Sequence, residues 1–288
     1  MAVGVDARAA AQSRLRWELL VGLIRKDLKV KYKDSSLGFA WSMANPLLLL
    51  AVYYFVFVVV LPNRVPLFAV YLMSGLLVWQ FFSGSVTTAV GSVLGSANLV
   101  KKVRFPLLVL PLSSVGFAGV HFGLQMLVFV TLLVAFGVVP LSLNLALLVP
   151  ACVVALTFTT GLSILVSALN VRYRDVQHIL EVAMLAWFWI NPILYPAGLV
   201  AKALSNEWLY RLYFLNPPGI VSATFQRAFY PHTYVPGMPR TPENLIVASP
   251  DISFYLQQLA ACLALSLLLL AFAMKVFRRM SGNFAEEL

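Results

Sequence analysis

The chain has 288 residues, of which 61% are hydrophobic and 11% charged, with a formal net charge of +10. A soluble domain carries about 25% charged residues, so the composition excludes an ordinary soluble protein and points to an all-α integral membrane protein. The positive charge lies against apolar runs, which argues against nucleic acid as its partner. Cys152 and Cys262 both lie within apolar runs, with neither a disulfide framework nor metal-ligand spacing around them.

The first element is a basic block. Five of the nine residues from Arg25 to Lys33 are Lys or Arg. Across residues 14–36, Trp17, Leu20, Val21, Ile24, Leu28 and Tyr32 recur at helical spacing, and Arg25, Lys26, Lys29 and Lys33 occupy the remaining positions. That pattern predicts an amphipathic helix lying in the membrane interface. Anchoring to anionic lipid accounts for it, and docking of a protein partner is a second reading. A cleavable signal peptide is not expected, because the first apolar run begins near Leu37, behind a long charged region.

A bilayer core needs roughly 20 apolar residues as a helix. Six spans are expected, at residues 37–61, 68–90, 107–138, 143–169, 179–200 and 252–276. Runs this long exclude the short alternating strands of a transmembrane barrel. Residues 201–251 are rich in aromatics and prolines and too short for a separate domain, so residues 1–288 read as one transmembrane domain. Short interfacial or re-entrant helices are expected in 201–251, at the outer face, where they would cap or gate a passage.

Lys and Arg set the orientation. Sixteen of the 21 lie in the N-terminal region, the second-to-third loop (Lys101, Lys102, Arg104), the fourth-to-fifth loop (Arg172, Arg174) and the C-terminus (Lys275, Arg278, Arg279). Arg64, Lys202, Arg211, Arg227 and Arg240 fall on the other side. Both termini are therefore expected in the cytoplasm.

Catalytic chemistry has little to draw on. Asp175, His178 and Glu181 share a three-residue spacing at the start of the fifth span, which suits either an acid–base site or a hydrated helix end offsetting Arg172 and Arg174. His121, alone in the third span, reads as a packing residue. No G-x-x-x-x-G-K-[ST] occurs, so any ATP is bound by another chain. Gly91/Gly95 and Gly119/Gly123 form small-xxx-small pairs that permit close helix approach. Aromatics cluster in three spans: Tyr53, Tyr54 and Phe57; Trp79, Phe81 and Phe82; Trp187, Phe188, Trp189 and Tyr195. Trp187 and Trp189 are expected roughly 13–17 Å into the fifth span, deeper than an interfacial belt. A sugar-lined passage fits flat rings with polar edges, and core packing fits them equally. A membrane-embedded glycosyl- or acyltransferase and an ATP-independent transporter are the alternative functions.

Four blocks decide among these. They are RKDLKVKYKDSSLGFAWSMANP (25–46), GLLVWQFFSGSV with SANLVKKVRFPLLVLP (75–86 and 96–111), ALNVRYRDV (168–176), and NPILYP with LNPPGI (191–196 and 215–220). Together they resemble the Wzm-like permease subunits of bacterial ABC polysaccharide exporters, the branch that includes O-antigen, galactan, teichoic acid and capsule exporters. The chain departs from the family pattern at His121–Phe122, where an acidic residue often precedes the Phe, and at Pro218, a second proline.

The resemblance implies a homodimer in the bacterial inner membrane, joined to two ABC ATPase subunits that bind ATP and Mg. The complex would export a lipid-linked polysaccharide, with no cofactor on this chain. By the same analogy, Arg25, Lys29, Lys31, Asn98, Lys101, Lys102, Arg104, Phe105, Arg172, Tyr173, Arg174 and Asp175 would couple to the ATPase. Tyr53, Tyr54, Phe57, Trp187, Trp189 and Tyr195 would line the channel along the first and fifth spans, with 201–251 as the outer gate.

Overall fold

The computed structural model describes residues 3–33, 40–61, 65–102, 105–138, 143–204 and 206–287, without the side chains of residues 3–13, Arg16, Tyr32, Ala40, Ser42, Lys102, Ala285 and Glu286. In chain order its helices are α1 (Val3–Tyr32), α2 (Ala40–Tyr54), α3 (Phe68–Val90), α4 (Ala97–Lys102), α5 (Val109–Ala135), α6 (Leu148–Arg172), α7 (Val176–Ile190), α8 (Ala197–Leu204), α9 (Glu207–Tyr213), α10 (Pro217–Phe229), α11 (Ile252–Met280) and α12 (Phe284–Glu287). No strand occurs among the described residues beyond a bridge between Tyr234 and Leu245. Helices dominate because an apolar run in lipid must satisfy every backbone group within itself.

Five helical segments are long and apolar enough to cross a bilayer: Met43–Val60, Phe68–Val90, Val109–Ala135, Leu143–Arg172 and Ile252–Met280. They correspond to five of the six expected spans. The first continues α2 through a π-helical segment, Phe55–Val60, closed by the Leu61 N–H donating to Val56 O at 2.8 Å.

Packing centres on α3, whose span is 72% buried, whereas the Met43–Val60 span is 6% buried. Tyr71, Leu72, Leu76, Leu77 and Val86 on α3 are fully enclosed by α5, α6 and α10. The most extensive pairing is α6 with α11. It turns on Gly161, where a Cβ would stand 3.1 Å from the Leu270 backbone. The expected small-xxx-small pairs play no such part. A Cβ at Gly91, Gly95 or Gly123 would meet nothing within 4 Å, and one at Gly119 only Phe81 at 3.9 Å. The paired glycines marked permissible approach, but the close contact formed at a glycine with no second glycine four residues away.

The basic N-terminal helix starts earlier than the hydrophobic pattern and packs on α5, where a Cβ at Gly116 would collide with the Ile24 side chain. Leu20, Val21, Ile24 and Leu28 are half-buried, Arg25, Lys26, Lys29 and Lys33 are exposed, and Trp17 is exposed as well. Tyr32, the last residue of the expected face, has its side chain outside the described residues, as does the whole of Ser35–Gly38 at the start of the first span.

The expected fifth span, 179–200, is not one helix. α7 ends at Ile190, so its 15 residues reach about 22 Å, short of a hydrocarbon core of about 30 Å. Asn191 precedes Pro192 and takes an extended conformation (φ −83°, ψ 142°), the geometry that proline imposes on its predecessor. Trp187 and Trp189 therefore occupy the last turn of a short helix, not the middle of a long one.

A helix end leaves carbonyls unpaired, and here side chains satisfy them. Asn191 Nδ2 donates to Trp187 O at 2.6 Å, and the Tyr195 hydroxyl to Trp189 O at 2.9 Å. The Tyr213 hydroxyl donates to Ile190 O. Gln226 Nε2 and the Tyr71 hydroxyl both reach Pro192 O, at 2.9 and 3.1 Å, and Tyr71 also donates to Tyr195 O at 2.7 Å. Asn216 ties the two Asn-Pro motifs together: its Nδ2 donates to Asn191 Oδ1 at 2.7 Å and its Oδ1 accepts from Trp187 Nε1 at 2.9 Å.

Short helices follow, as expected for 201–251. α10 has twelve of its thirteen residues buried and dips back against α3, where Ser222 Oγ meets Gly75 O at 3.5 Å. α8 is sewn to the 245–246 segment by the Ala197 and Gly198 N–H groups, at 3.0 and 2.9 Å from Ile246 O and Leu245 O.

Two consequences are measurable by thermal unfolding of the purified protein in detergent. Gly161→Val overpacks a backbone contact, which costs about 1–3 kcal/mol, and should lower Tm by several degrees, while Gly123→Val leaves it unchanged. Asn216→Leu keeps the branched heavy-atom shape but strands the Trp187 N–H and Asn191 Oδ1, at about 1–3 kcal/mol per buried group, and should lower Tm more than Asn206→Leu at the exposed start of α9.

Candidate functional site

Two sets of side chains carry the candidate functions: aromatics on α2 and α7, and polar residues at the opposite end of α7. On α2, Tyr53 stacks on Phe188 with centroids 6.0 Å apart, and Phe57 tilts against Phe68 at 6.1 Å. Tyr54 is exposed. On α7, only Leu180, Met184 and Phe188 are buried, one per turn, which fixes the face turned to the bundle. Trp187 is half-buried, with Phe82 and Phe158 edge-on at 5.2 and 6.0 Å and its indole N–H bonded to Asn216. Trp189 is 52% exposed. The Tyr195 hydroxyl is engaged by the α7 carbonyls and lies 3.3 Å from the Tyr213 hydroxyl. Of the six aromatics expected along a passage, Tyr54 and Trp189 face outward. Tyr53, Phe57, Trp187 and Tyr195 are partly covered by their own chain.

α2 and α7 present exposed apolar stripes. On the first span these are Leu48, Val52, Phe55 and Val59, and on α7 Ile179, Val182, Leu185 and Trp189. Between them and α3 the space is filled by rings: Trp79 lies 5.4 Å from Phe82 and 5.6 Å from Phe188.

At the other end of the bundle a small second core gathers Val93, Leu110, Ile164, Val171, Phe277 and Phe284, with Leu23, Val100 and Phe105 packed against it. This core joins α1, the α3–α4 connection, the start of α5 and the ends of α6 and α11. Asn170 Nδ2 on α6 donates to Val90 O at the end of α3 at 2.9 Å, fixing the same level. The expected coupling residues thus come from elements that meet at one end. Asn98 and Lys101 are exposed on α4, and Phe105 is half-buried in the second core. Tyr173, Arg174 and Asp175 are exposed, and the Arg172 guanidinium lies 5.5 Å above the Tyr173 ring. Arg25 and Lys29 are exposed on α1. Lys31 is exposed as well, but its ammonium lies 5.3 Å over the Phe117 ring, and desolvation lowers its pKa. Arg104 and the Lys102 side chain lie outside the described residues.

The Asp175–His178–Glu181 cluster forms no enclosed site. His178 Nδ1 and Glu181 Oε2 are 3.9 Å apart, with side chains 80% and 57% exposed, and Asp175 is exposed too. Among the described residues no three His, Cys, Asp or Glu converge as metal ligands. His121 is buried, with its ring edge-on to Phe117 at 4.7 Å.

Sequence reasoning missed Asn191, Asn216, Gln226, Tyr71 and Tyr213, which hold the broken end of α7. A signal for two of them was present: Asn stands directly before Pro twice, in NPILYP and LNPPGI. An Asn-Pro pair ending an apolar helix marks a place where carbonyls must be capped.

Known proteins align with these features. The family model for the ABC-2 type transporter matches residues 18–225. An O-antigen export system permease protein RfbA of Klebsiella pneumoniae is 38% identical over 190 residues, covering 66% of this chain and 73% of the relative. The protein of the same name from Myxococcus xanthus is 33% identical over 270 residues, covering 94% of this chain and 95% of the relative. The matched region takes in α7 and both Asn-Pro motifs, and the chain belongs to the ABC-2 type transporter family.

Proposed function

We propose that this chain is the permease subunit of an ABC exporter that moves a lipid-linked polysaccharide of the O-antigen type out of the cytoplasm. Two copies would pair in the bacterial inner membrane beside two ABC ATPase subunits, which bind ATP and Mg. Its relatives are named for O-antigen export, and the ABC-2 family is one of transporters. The observation that carries the reading is the second core. It ties α4, the end of α6 and α1 into one block at one end of the bundle, so a push on any of them would reach the spans directly.

The topology in this reading has six crossings, with α7 as a short one completed by the buried turn at 191–196. The basic ends then share the cytoplasmic face, as the positive-inside rule requires, and α8–α10 form the outer gate. α1 would lie along the inner interface with its basic face toward anionic lipid. The passage would run between two copies, because aromatic rings fill the space around α3 within one. The exposed stripes of α2 and α7 would form its walls, with Tyr54 and Trp189 offering ring faces to sugar.

The direct test is reconstitution with the ATPase in vesicles. Hydrolysis should be stimulated by this chain, and glycan should cross only with ATP; transport without ATP would overturn the reading. Arg174→Glu should abolish export and the stimulation of hydrolysis while the protein still inserts. Trp189→Ala should reduce polysaccharide transport severalfold and leave hydrolysis unchanged, because it removes a wall and leaves the lever intact.

A further inference from the structure

Of the elements expected to meet the ATPase, α4 is the least able to hold itself in place. It has six residues, Ala97–Lys102, and a helix this short depends on tertiary contacts for its stability. Asn98, Leu99 and Lys101 are exposed, and among its other described side chains Ala97 and Val100 are half-buried. Val100 reaches the second core, as does Phe105 beyond it. Apart from the turn that leads into it, the element that α4 packs against most is α12.

α12 reaches that position because the chain folds back after α11. Were α11 to continue as a helix, residue 284 would stand about 10 Å beyond Phe277 along the axis. Instead the Phe277 and Phe284 rings lie edge-on, with centroids 5.4 Å apart. A turn at 281–283 closes the end of α11. The Ser281 N–H donates to Phe277 O at 2.8 Å, the Ser281 hydroxyl to Arg278 O at 3.1 Å and the Asn283 N–H to Met280 O at 3.0 Å. These pair carbonyls that a helix end leaves open.

Phe284 then enters the second core completely, in the cluster of Val93, Ile164, Val171 and Phe277. It is the one buried side chain among those described on α12, and Gly282 and Asn283 before it are exposed. The ring is therefore the main anchor of this segment. Truncating a buried ring leaves a void that its surroundings close only in part. The spans have other support, since α6 and α11 pair along their length. α4 has little besides this core, so the loss falls chiefly on α4.

We infer that Phe284 is a positioning residue: it clasps the C-terminal helix α12 against α4 and so fixes the direction in which Asn98, Leu99 and Lys101 face the ATPase. The clasp stands on packing within this chain. Only its effect on ATP hydrolysis rests on the export reading.

The test uses the full-length protein in detergent, with Cys152 and Cys262 replaced and a spin label on Lys101→Cys or, as a control, on Ile179→Cys at the exposed face of α7. Phe284→Ala should shorten the rotational correlation time of the label at 101 severalfold and leave the label at 179 unchanged. Phe284→Leu refills most of the space and should restore the wild-type spectrum. Phe272→Ala, exposed on α11, should match wild type at both sites. If Phe284→Ala loosens both sites, the smaller truncation Phe284→Val is read with the same two labels. In vesicles with the ATPase and without labels, Phe284→Ala should lower the stimulated hydrolysis severalfold, and Phe284→Leu should recover most of it. An unmoved label at 101 in Phe284→Ala, loosening of both labels in Phe284→Val, or full stimulation of hydrolysis despite a mobile α4 would overturn the proposal. A wild-type chain that stimulates no hydrolysis would count against the export reading, and the label at 101 would still decide the clasp.

Discussion

The structure depends on capping the carbonyls where α7 stops. A helix that ends inside an apolar bundle exposes backbone acceptors that neither water nor lipid satisfies. Here Asn191, Tyr195 and Tyr213 supply the donors, Gln226 and Tyr71 do the same for the carbonyls of Pro192 and Tyr195 in the turn that follows, and Asn216 locks the arrangement to the start of α10. Without them the chain at 191–196 would have to continue as a helix or leave the bundle. With them, a prolyl turn sits in the core, α10 packs beside α3, and the outward face of α7 is fixed.

α7 then becomes a strut between two kinds of structure. It starts at Val176, directly after the exposed Arg172–Asp175 segment that follows Val171, the last second-core residue of α6. It ends, about 22 Å on at 1.5 Å per residue, in the capped turn. Buried contacts at Leu180, Met184 and Phe188 hold one face, with Trp187 half-buried beside them, and the opposite face is bare. Force applied at the turn is transmitted along a rigid helix to a hydrogen-bonded joint, and the short helices α8–α10 are attached at that joint. In the proposed exporter, this would link the ATPase side to the outer gate through a single element.

Much of this was legible in the sequence. Apolar runs of 20 or more residues placed five spanning helices to within a few residues, because in lipid a long run has no other way to satisfy its backbone. The 16-to-5 distribution of basic residues marked the end where α4, the α6–α7 turn and the C-terminal end of α11 meet. The break in the fifth span was not read, since hydropathy runs straight through Ile193, Leu194 and Tyr195; only the pairing of two distant Asn-Pro motifs distinguishes it. The roles of Trp187 and Lys31 were hidden for a related reason. Periodicity says which residues share a helix face, but Trp187 is turned by a partner 29 residues away and Lys31 by Phe117 on another helix. Glycine spacing likewise named Gly119 and Gly123, while the backbone contact formed at Gly161.

The central claim is that the bare faces of α2 and α7 meet across two copies of the chain to form the passage. Disulfide cross-linking tests it most directly, in a variant with Cys152 and Cys262 replaced and single cysteines introduced at Val52 on α2 and Leu185 on α7. Oxidation in native membranes should give a covalent dimer only when both cysteines are present. Lipid-exposed cysteines that never cross-link, at this pair or at the neighbouring Leu48–Trp189 and Phe55–Val182 pairs, would contradict the account.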